Sequence, residues 1–356
     1  MIDAAALLRL RPRALLMPDL LTPTDRGLYC AAGDFYVDPW RPVDRAVVTH
    51  AHSDHASMGS QRYLTSEAGV GVLRVRLGDE ATIEGVPYGE SVTIGQVRVS
   101  LHPAGHILGS SQVRIEHAGQ VCVVSGDYKT MADDTCAAFE PLRCHTFVTE
   151  STFGLPIYRW QPAEEVFREI NAWWATNQEQ GRTSLIYAYS LGKAQRVLAG
   201  LDASIGPILV HGAIARFLPA YHAAGVPLPL TERATQANAK AARGRAMVIA
   251  PPSAAGTPWL RKFGPISTAI ASGWMQIRGP RRRRAVDRGF ALSDHADWNG
   301  LLGAIDATRA EQIWVTHGYS PVMVRWFTER GKQARVIPTR YEGEQLDEPE
   351  AAAAAE

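Results

Sequence analysis

Short apolar runs that end in a polar residue at a turn recur along the chain. They cover Ala46 to Thr49, Val97 to Leu101, Val121 to Ser125, Thr146 to Thr149 and, near the C-terminus, Ile313 to Thr316. Runs this short, bounded by turn residues, predict buried strands. Thr183 to Ala188 and Met247 to Ala250 predict a second group of strands. Apolar residues at helical spacing predict helices over Ala163 to Gln178 and Lys193 to Leu201. Two strand-rich stretches thus flank a more helical middle. The expected organisation is an α/β domain over 1–155 and 288–341, interrupted by an insertion over 156–287. Beyond Tyr341 the chain reads EGEQLDEPEAAAAAE, with six acids and no base, which predicts a solvated, disordered tail over 342–356.

Composition narrows the function classes. Of 356 residues, 46% are hydrophobic, enough for a sizeable core. Lys and Arg number 37 against 36 Asp and Glu, so a polyanion would have to be held by a local patch and not by a whole-molecule field. The cysteines are Cys30, Cys122, Cys136 and Cys144, with no C-x-x-C pair, and a chain this long needs no disulfide staples. A reducing, cytoplasmic setting is expected. No apolar run reaches the roughly 18 residues of a membrane span, so no membrane association is expected. Arginines interrupt the apolar N-terminal stretch and no A-x-A site follows it, so a secretory leader is not expected either.

The most informative segment is Val47-Val48-Thr49-His50-Ala51-His52-Ser53-Asp54-His55. An apolar strand runs into four potential metal ligands within six positions. Residues two apart in extended chain point the same way, so His50 and His52 can grip one ion while Asp54 and His55, on the next turn, face a second. His106, Asp127 and His317 each follow an apolar strand at a glycine-containing turn. Singly, each is as readily a buried, hydrogen-bonded residue; beside the H-x-H-x-D-H run, they read as further ligands.

THAHSDH, AGHILGS and SGDYK, in that order, resemble the metallo-β-lactamase fold. Glu150 in TESTFG, His295 in LSDHAD and His317 in VTHG resemble three further motifs of its β-CASP nuclease branch. The segment Gly27 to Trp40 is similar to a narrower bacterial group, the ligase-associated DNA exonucleases. The resemblance implies a four-layer αββα sandwich with an inserted β-CASP α/β cap and the substrate in the cleft between them. It implies that His50, His52 and His106 hold one ion, that Asp54, His55 and His317 hold another, and that Asp127 bridges both. Imidazole-rich ligands suit zinc, and the carboxylates also admit manganese. Two such ions activate a water and neutralise phosphate charge.

His295 is then the candidate general acid, and Glu150 the partner that orients it and keeps it protonated. Asp54 belongs to the same catalytic set. The alternatives are that His295 is a metal ligand and that Glu150 caps a turn. Asp294 and Asp297 are possible acceptors for ligand imidazoles. The implied function is DNA exonuclease action in repair, on single-stranded ends and 5′ to 3′, beside DNA ligase and helicase partners. RNA processing is the alternative, because histidine at the position of His317 resembles RNA-processing members. A thioester or lactam hydrolase and a non-catalytic nucleic-acid-binding subunit are more distant readings.

Two segments suggest phosphate contacts. Tyr189-Ser190-Leu191-Gly192-Lys193 reads as a loop entering a helix with Ser190 as N-cap, where Ser190 and Lys193 could seat a phosphate. An ordinary capped helix explains it as well. The stretch Gln276 to Arg288 carries six arginines, among them Arg281, Arg282, Arg283 and Arg284, and reads either as a nucleic-acid path or as a solubilising loop. Trp259 and Trp274 could stack on bases or belong to the core.

Overall fold

The computed structural model describes residues 19–277 and 286–339. The expected acidic tail and Arg281 to Arg284 lie outside the described residues. The described strands form three sheets. The first runs β1 (Thr22–Thr24), β2 (Gly27–Cys30), β3 (Phe35–Val37), β4 (Arg45–Val47), β5 (Arg62–Ser66) and β6 (Ile83–Val86), in that order. The second contains β7 (Ser91–Ile94), β8 (Val97–Pro103), β9 (Ser111–His117), β10 (Gln120–Val124), β11 (Thr146–Glu150), β18 (Gln312–Thr316) and β19 (Gln333–Val336), in the spatial order β19-β18-β11-β10-β9-β8-β7.

These two sheets share one core. Val37, Val47 and Leu64 from the first pack with Val99, Val113, Val124 and Val148 from the second. Beyond the second sheet, Val123, Phe147 and Ile313 pack on Leu301 of helix α7 (Trp298–Thr308) and Met323 of α8 (Ser320–Thr328). Beyond the first, Ala46 and Tyr63 pack on Val72 and Leu73 of α1 (Val70–Leu77). With an apolar layer on both sides of the second sheet, its central strands are near-continuous apolar runs whose successive side chains enter opposite layers, as Val123 and Val124 do.

The third sheet is built wholly from the interrupting segment and the residues just after it. It contains β12 (Thr183–Tyr187), β13 (Ile208–Val210), β14 (Glu232–Arg233), β15 (Met247–Ala250), β16 (Ile266–Ala271) and β17 (Arg288–Phe290), all parallel, in the order β14-β13-β15-β12-β16-β17. A parallel sheet needs both faces covered. On one face lie α2 (Ala163–Glu179) and α3 (Lys193–Ala199), and on the other Ala239 of α6 (Gln236–Ala241) and Phe263. In α2, Val166, Ile170, Trp173, Trp174 and Asn177 make the buried stripe that helical spacing requires. Two short helices, α4 (Gly212–Ala215) and α5 (Leu218–Ala223), follow β13.

Strand direction gathers the candidate residues. β8, β10, β11 and β18 all run the same way in the second sheet. His106, Asp127, Glu150 and His317 therefore emerge at one edge. Each follows or ends its strand. His50 follows β4, and His295 follows β17 of the third sheet.

The loop carrying His106 is fixed by close backbone approach. Gly109 has φ +76°, and a Cβ there would stand 2.1 Å from Cα of Gly69. Ser66 Oγ donates to the Gly109 carbonyl at 2.6 Å. Gly109→Ala adds backbone strain to a steric clash and should cost about 2 kcal/mol or more. Gly119→Ala shares the positive φ (+79°) but has nothing within 4 Å of the new Cβ, and should cost only about 1 kcal/mol. Urea unfolding checks both; equal losses would mean that the Gly69 contact yields freely.

Candidate metal centre and catalytic pair

The expected ligands converge. His50, His52, His106 and Asp127 place one donor atom each within 4.8 Å of one another, and so do His55, Asp127 and His317. His52 Nδ1 lies 3.1 Å from both His50 Nε2 and His106 Nε2. Ligands about 2.0–2.1 Å from one tetrahedral ion are separated by roughly 3.3 Å, so these spacings fit a ligand set around a cation. Asp127 Oδ2 is 3.7 Å from His50 Nε2, 3.9 Å from His106 Nε2 and 3.5 Å from His55 Nε2. It stands between the two groups, as a bridging carboxylate must. Asp54 joins the second group at its edge, with Oδ2 3.6 Å from His55 Nε2.

Four of the histidines have one ring nitrogen engaged outside the cluster, His50 Nδ1 facing Thr49 Oγ1 at 3.1 Å. His52 Nε2 faces the Leu191 carbonyl at 3.1 Å, His106 Nδ1 the Asp294 carbonyl at 2.8 Å, and His55 Nδ1 the Asp38 carboxylate at 2.7 Å. Donation to those oxygens assigns the tautomers and leaves the opposite nitrogens with lone pairs pointing inward. Burial pushes His50 and His106 well below the usual histidine range, helped by neighbouring imidazoles, and burial lowers His52 as well. Neutral imidazoles are what a metal needs. Burial also disfavours charge on His55, but the carboxylates of Asp54, Asp127 and Asp38 outweigh it and raise its pKa. Two buried polar atoms of the cluster, His55 Nε2 and Asp127 Oδ1, have no hydrogen-bond partner. Buried polar atoms are rarely left so, and here both fit a cation as the missing partner. The residues present thus fit a two-cation centre.

His295 lies against this centre, its ring centroid 4.7 Å from that of His106. Its Nδ1 meets both oxygens of Glu150, at 3.0 and 2.9 Å, and both side chains are buried. Glu150 also accepts from the Tyr128 amide at 2.7 Å, so it does more than cap a turn. Asp127, Glu150 and His295 form a third convergent group, which keeps the ligand alternative for His295 chemically open.

Asp294 serves His106 through its main-chain carbonyl; its carboxylate is engaged elsewhere. Asp297 does not reach a ligand: it caps α7 through Gly300 N at 2.8 Å and accepts from Trp160 N at 3.1 Å.

The expected phosphate seat does not survive. Helix α3 starts after Gly192, not Ser190, and Gly192 takes φ +87° at the N-cap. Lys193 is fully buried, with Nζ 3.1 Å from the Asp294 carboxylate and 3.2 Å from the Leu292 carbonyl. Ser190 is buried as well. A lysine already neutralised in the interior is not presented to a phosphate.

Sequence reasoning missed two residues that organise the site. Asp38 holds His55 and also accepts from Thr49 N (2.8 Å) and Thr49 Oγ1 (2.6 Å), tying β3 to the H-x-H-x-D-H run. Arg196 of α3 is buried and donates to the carbonyls of Ser293 (2.8 Å) and His106 (3.2 Å), while pairing with Asp294 and Asp133. It fastens the third sheet's segment to the loops of His106 and His295. A run such as G-K-A-Q-R gives no local sign of this, because its partners lie about 60 to 100 residues away along the chain.

The geometry defines a candidate two-cation centre at the strand ends of an α/β fold. Comparison with known proteins agrees. The chain is 30% identical over 314 residues, 87% of its length, to a "Probable DNA ligase" of Opitutus terrae. It is 28% identical over 165 residues to "Endoribonuclease YSH1" of Saccharomyces cerevisiae, and 31% identical over 122 residues to "Cleavage and polyadenylation specificity factor 73" of Drosophila melanogaster, matching 46% and 34% of its length. It spans only 30%, 20% and 18% of those three proteins. Its fold is like the crystal structure of a protein of unknown function from Enterococcus faecalis V583, with a TM-score of 0.58 at 14% identity, over 84% of this chain and 80% of that one. No protein-family model matches. These relatives support the β-CASP metallo-β-lactamase nuclease family that the motifs resemble.

Asp38→Asn keeps a side chain that tolerates the left-handed backbone at this position (φ 45°) while removing the charge behind His55. Competition with a chromophoric chelator should show one ion bound roughly 10- to 100-fold more weakly and the other little changed. Affinities for both ions unchanged from wild type would remove Asp38 from the site.

Proposed function

We propose that the protein is a two-metal phosphodiesterase that cleaves nucleic acid, acting as a DNA exonuclease in repair. The observation that carries this reading is the bridging position of Asp127 between two ligand groups, with the Glu150–His295 pair beside them. His50, His52 and His106 would hold one ion, and Asp54, His55 and His317 the other, zinc by preference and manganese by tolerance. Bound there, the ions would supply a water of lowered pKa as nucleophile and offset charge building on the phosphate oxygens.

The remaining work falls to the chain itself. Glu150 accepts the Nδ1 proton of His295, which orients the ring. The other ring nitrogen can then pass a proton to the leaving oxygen of the phosphodiester. A thioester or lactam hydrolase does not require this buried acid pair. A non-catalytic binding subunit does not require a complete set of inward-facing nitrogens.

The domain reading is an αββα sandwich over 1–155 and 288–341 with a β-CASP cap over 156–287. Two sheets with a shared core and helices outside both support it. The DNA reading is supported by the similarity to a segment of a protein named as a probable DNA ligase. That likeness also suggests ligase and helicase partners in repair. The 5′ to 3′ polarity rests only on the analogy to β-CASP exonucleases, and the preference for ends keeps that analogy alone, since the Lys193 seat is gone. Among the described residues no helix is long and apolar enough to cross a membrane, and a cytoplasmic setting accords with four free cysteines. RNA processing is the second reading, favoured by the likeness to YSH1 and by His317.

Matched end-labelled DNA and RNA strands, linear and circular, incubated with metal-loaded protein separate these readings. The proposal expects shortening of linear DNA from its 5′ end and survival of the circle. Faster loss of RNA would favour the second reading, and no cleavage of either would end both. Asp127→Ala should abolish cleavage and lower bound metal by elemental analysis; full activity with unchanged metal would contradict the bridging role. His295→Ala should keep both ions and lose roughly 10²–10⁴ in rate. Loss of one metal equivalent would make His295 a ligand.

A further inference from the structure

Glu150 holds His295 by its ring, at Nδ1, and a ring held there still moves with its main chain. The loop that carries His295 is held separately. The segment Tyr158 to Trp160, on the way from β11 to α2, braces it at three points. The Tyr158 carbonyl accepts from Trp298 N at 3.2 Å, and Trp160 N donates to the Asp297 carboxylate at 3.1 Å. The third point is on the residue itself: the Trp160 indole Nε1 donates to the main-chain carbonyl of His295 at 2.9 Å. In addition, Ala296 N donates to the Tyr128 carbonyl at 2.7 Å, and the Tyr128 amide is the one that holds Glu150.

The indole is itself fixed. Its ring stands nearly perpendicular to that of Phe153, with centroids 4.8 Å apart. Phe153 is fully buried, three residues past Glu150, and its ring centroid lies 5.9 Å from that of His295. An edge-on aromatic contact fixes orientation as well as position. An indole has a single N–H, so a ring held this way donates in one direction. His295 is 2% exposed, so water has little access to replace the bond if the donor is removed. A general acid must come within about 2.6–3.2 Å of the oxygen it protonates, and a misplacement of about 1 Å can cost about 10²-fold. A hydrogen bond to the main chain of His295 controls that distance through the backbone.

We propose that Trp160 is a positioning residue for His295, setting through the main chain the distance from the acid to the leaving oxygen of the scissile bond. This rests on the nuclease reading and on His295 as its general acid. Trp160 takes no part in proton transfer: the proton passes from the His295 ring to the leaving oxygen, and the indole N–H stays on its carbonyl.

The test varies the leaving group and the protein together. Single-turnover rates are measured with saturating metal-loaded protein on two strands of whichever nucleic acid it cleaves. One strand is natural, and in the other sulfur replaces the leaving oxygen of the cleaved bond. A thiolate leaves without an acid far more readily than an alkoxide, since a free thiol has a pKa of about 8.5. Trp160→Phe keeps a ring against Phe153 and removes the N–H. It should bind both ions, lose roughly 5- to 50-fold on the natural strand and stay within about twofold of wild type on the sulfur strand. His295→Ala should show the same pattern with a larger loss. A variant that merely folds less well, or disturbs the ions, slows both strands by one factor. That outcome, or an unchanged rate on the natural strand, overturns the positioning role and leaves the nuclease reading intact. Equal slowing of both strands in His295→Ala overturns His295 as the acid, and the role of Trp160 with it. Failure of wild type to cleave the natural strand overturns the nuclease reading and the positioning role together.

Discussion

A single buried carboxylate, Asp127, sets the terms for everything around it. It is 4% exposed and lies within 4 Å of ring nitrogens from His50, His55 and His106. Burial alone would push its proton affinity up, yet the surrounding imidazoles, His55 first, hold it well below the usual carboxylate range. An ionised carboxylate in a dry site is costly unless positive charge meets it. His50 and His106 are kept neutral by their own burial and cannot fully supply that charge. Divalent cations between the nitrogens and the carboxylate satisfy both requirements, and on that account the centre is built to be completed by metal.

The nitrogens can only converge if their rings are held from behind. Leu191 from the third sheet's segment, Asp294 from the loop after β17 and Asp38 from the first sheet each take one ring proton. Support for the centre therefore comes from the first and third sheets, while the second supplies Asp127 and His317 at its strand ends. Arg196 and Lys193 make the same connection with charge. Burial works against the Asp294 carboxylate, but Lys193 and Arg196 outweigh it and hold its pKa below the ordinary range. Removing one member of such a buried cluster leaves its partners uncompensated, which is far more costly than never having built it. Movement of the third sheet away from the sandwich would have to break these pairs. The third sheet's segment and the candidate metal centre are thereby tied together.

Much of this was legible in the sequence wherever the signal was local. The apolar runs became β8, β10, β11, β12, β15 and β18, within a residue or two of the expected bounds, because a strand buried on both faces announces itself by composition. The side chains that converge at the candidate centre were legible because H-x-H-x-D-H and the strand-end histidines concentrate rare side chains at turns. The short outer strands were not. β6 reads Ile-Glu-Gly-Val with only Val86 buried, and β1 reads Thr-Pro-Thr with no residue buried, so neither has an apolar run to detect. Lys193 misled for a different reason. A lysine at a helix start reads as a solvent-facing anion seat, and only the fold reveals Asp294 waiting for it a hundred residues later. Asp38 was hidden in the same way, its role depending on His55 arriving from the next parallel strand.

The central claim is that the strand-end histidines and Asp127 form one two-cation centre. Anomalous diffraction from crystals of the metal-loaded protein, collected on either side of the absorption edge of the bound metal, tests it directly. The account predicts two peaks, one within bonding distance of His50, His52 and His106 and one within bonding distance of His55 and His317, with the Asp127 carboxylate in contact with both. A single peak, or two peaks with Asp127 bound to only one of them, would contradict it.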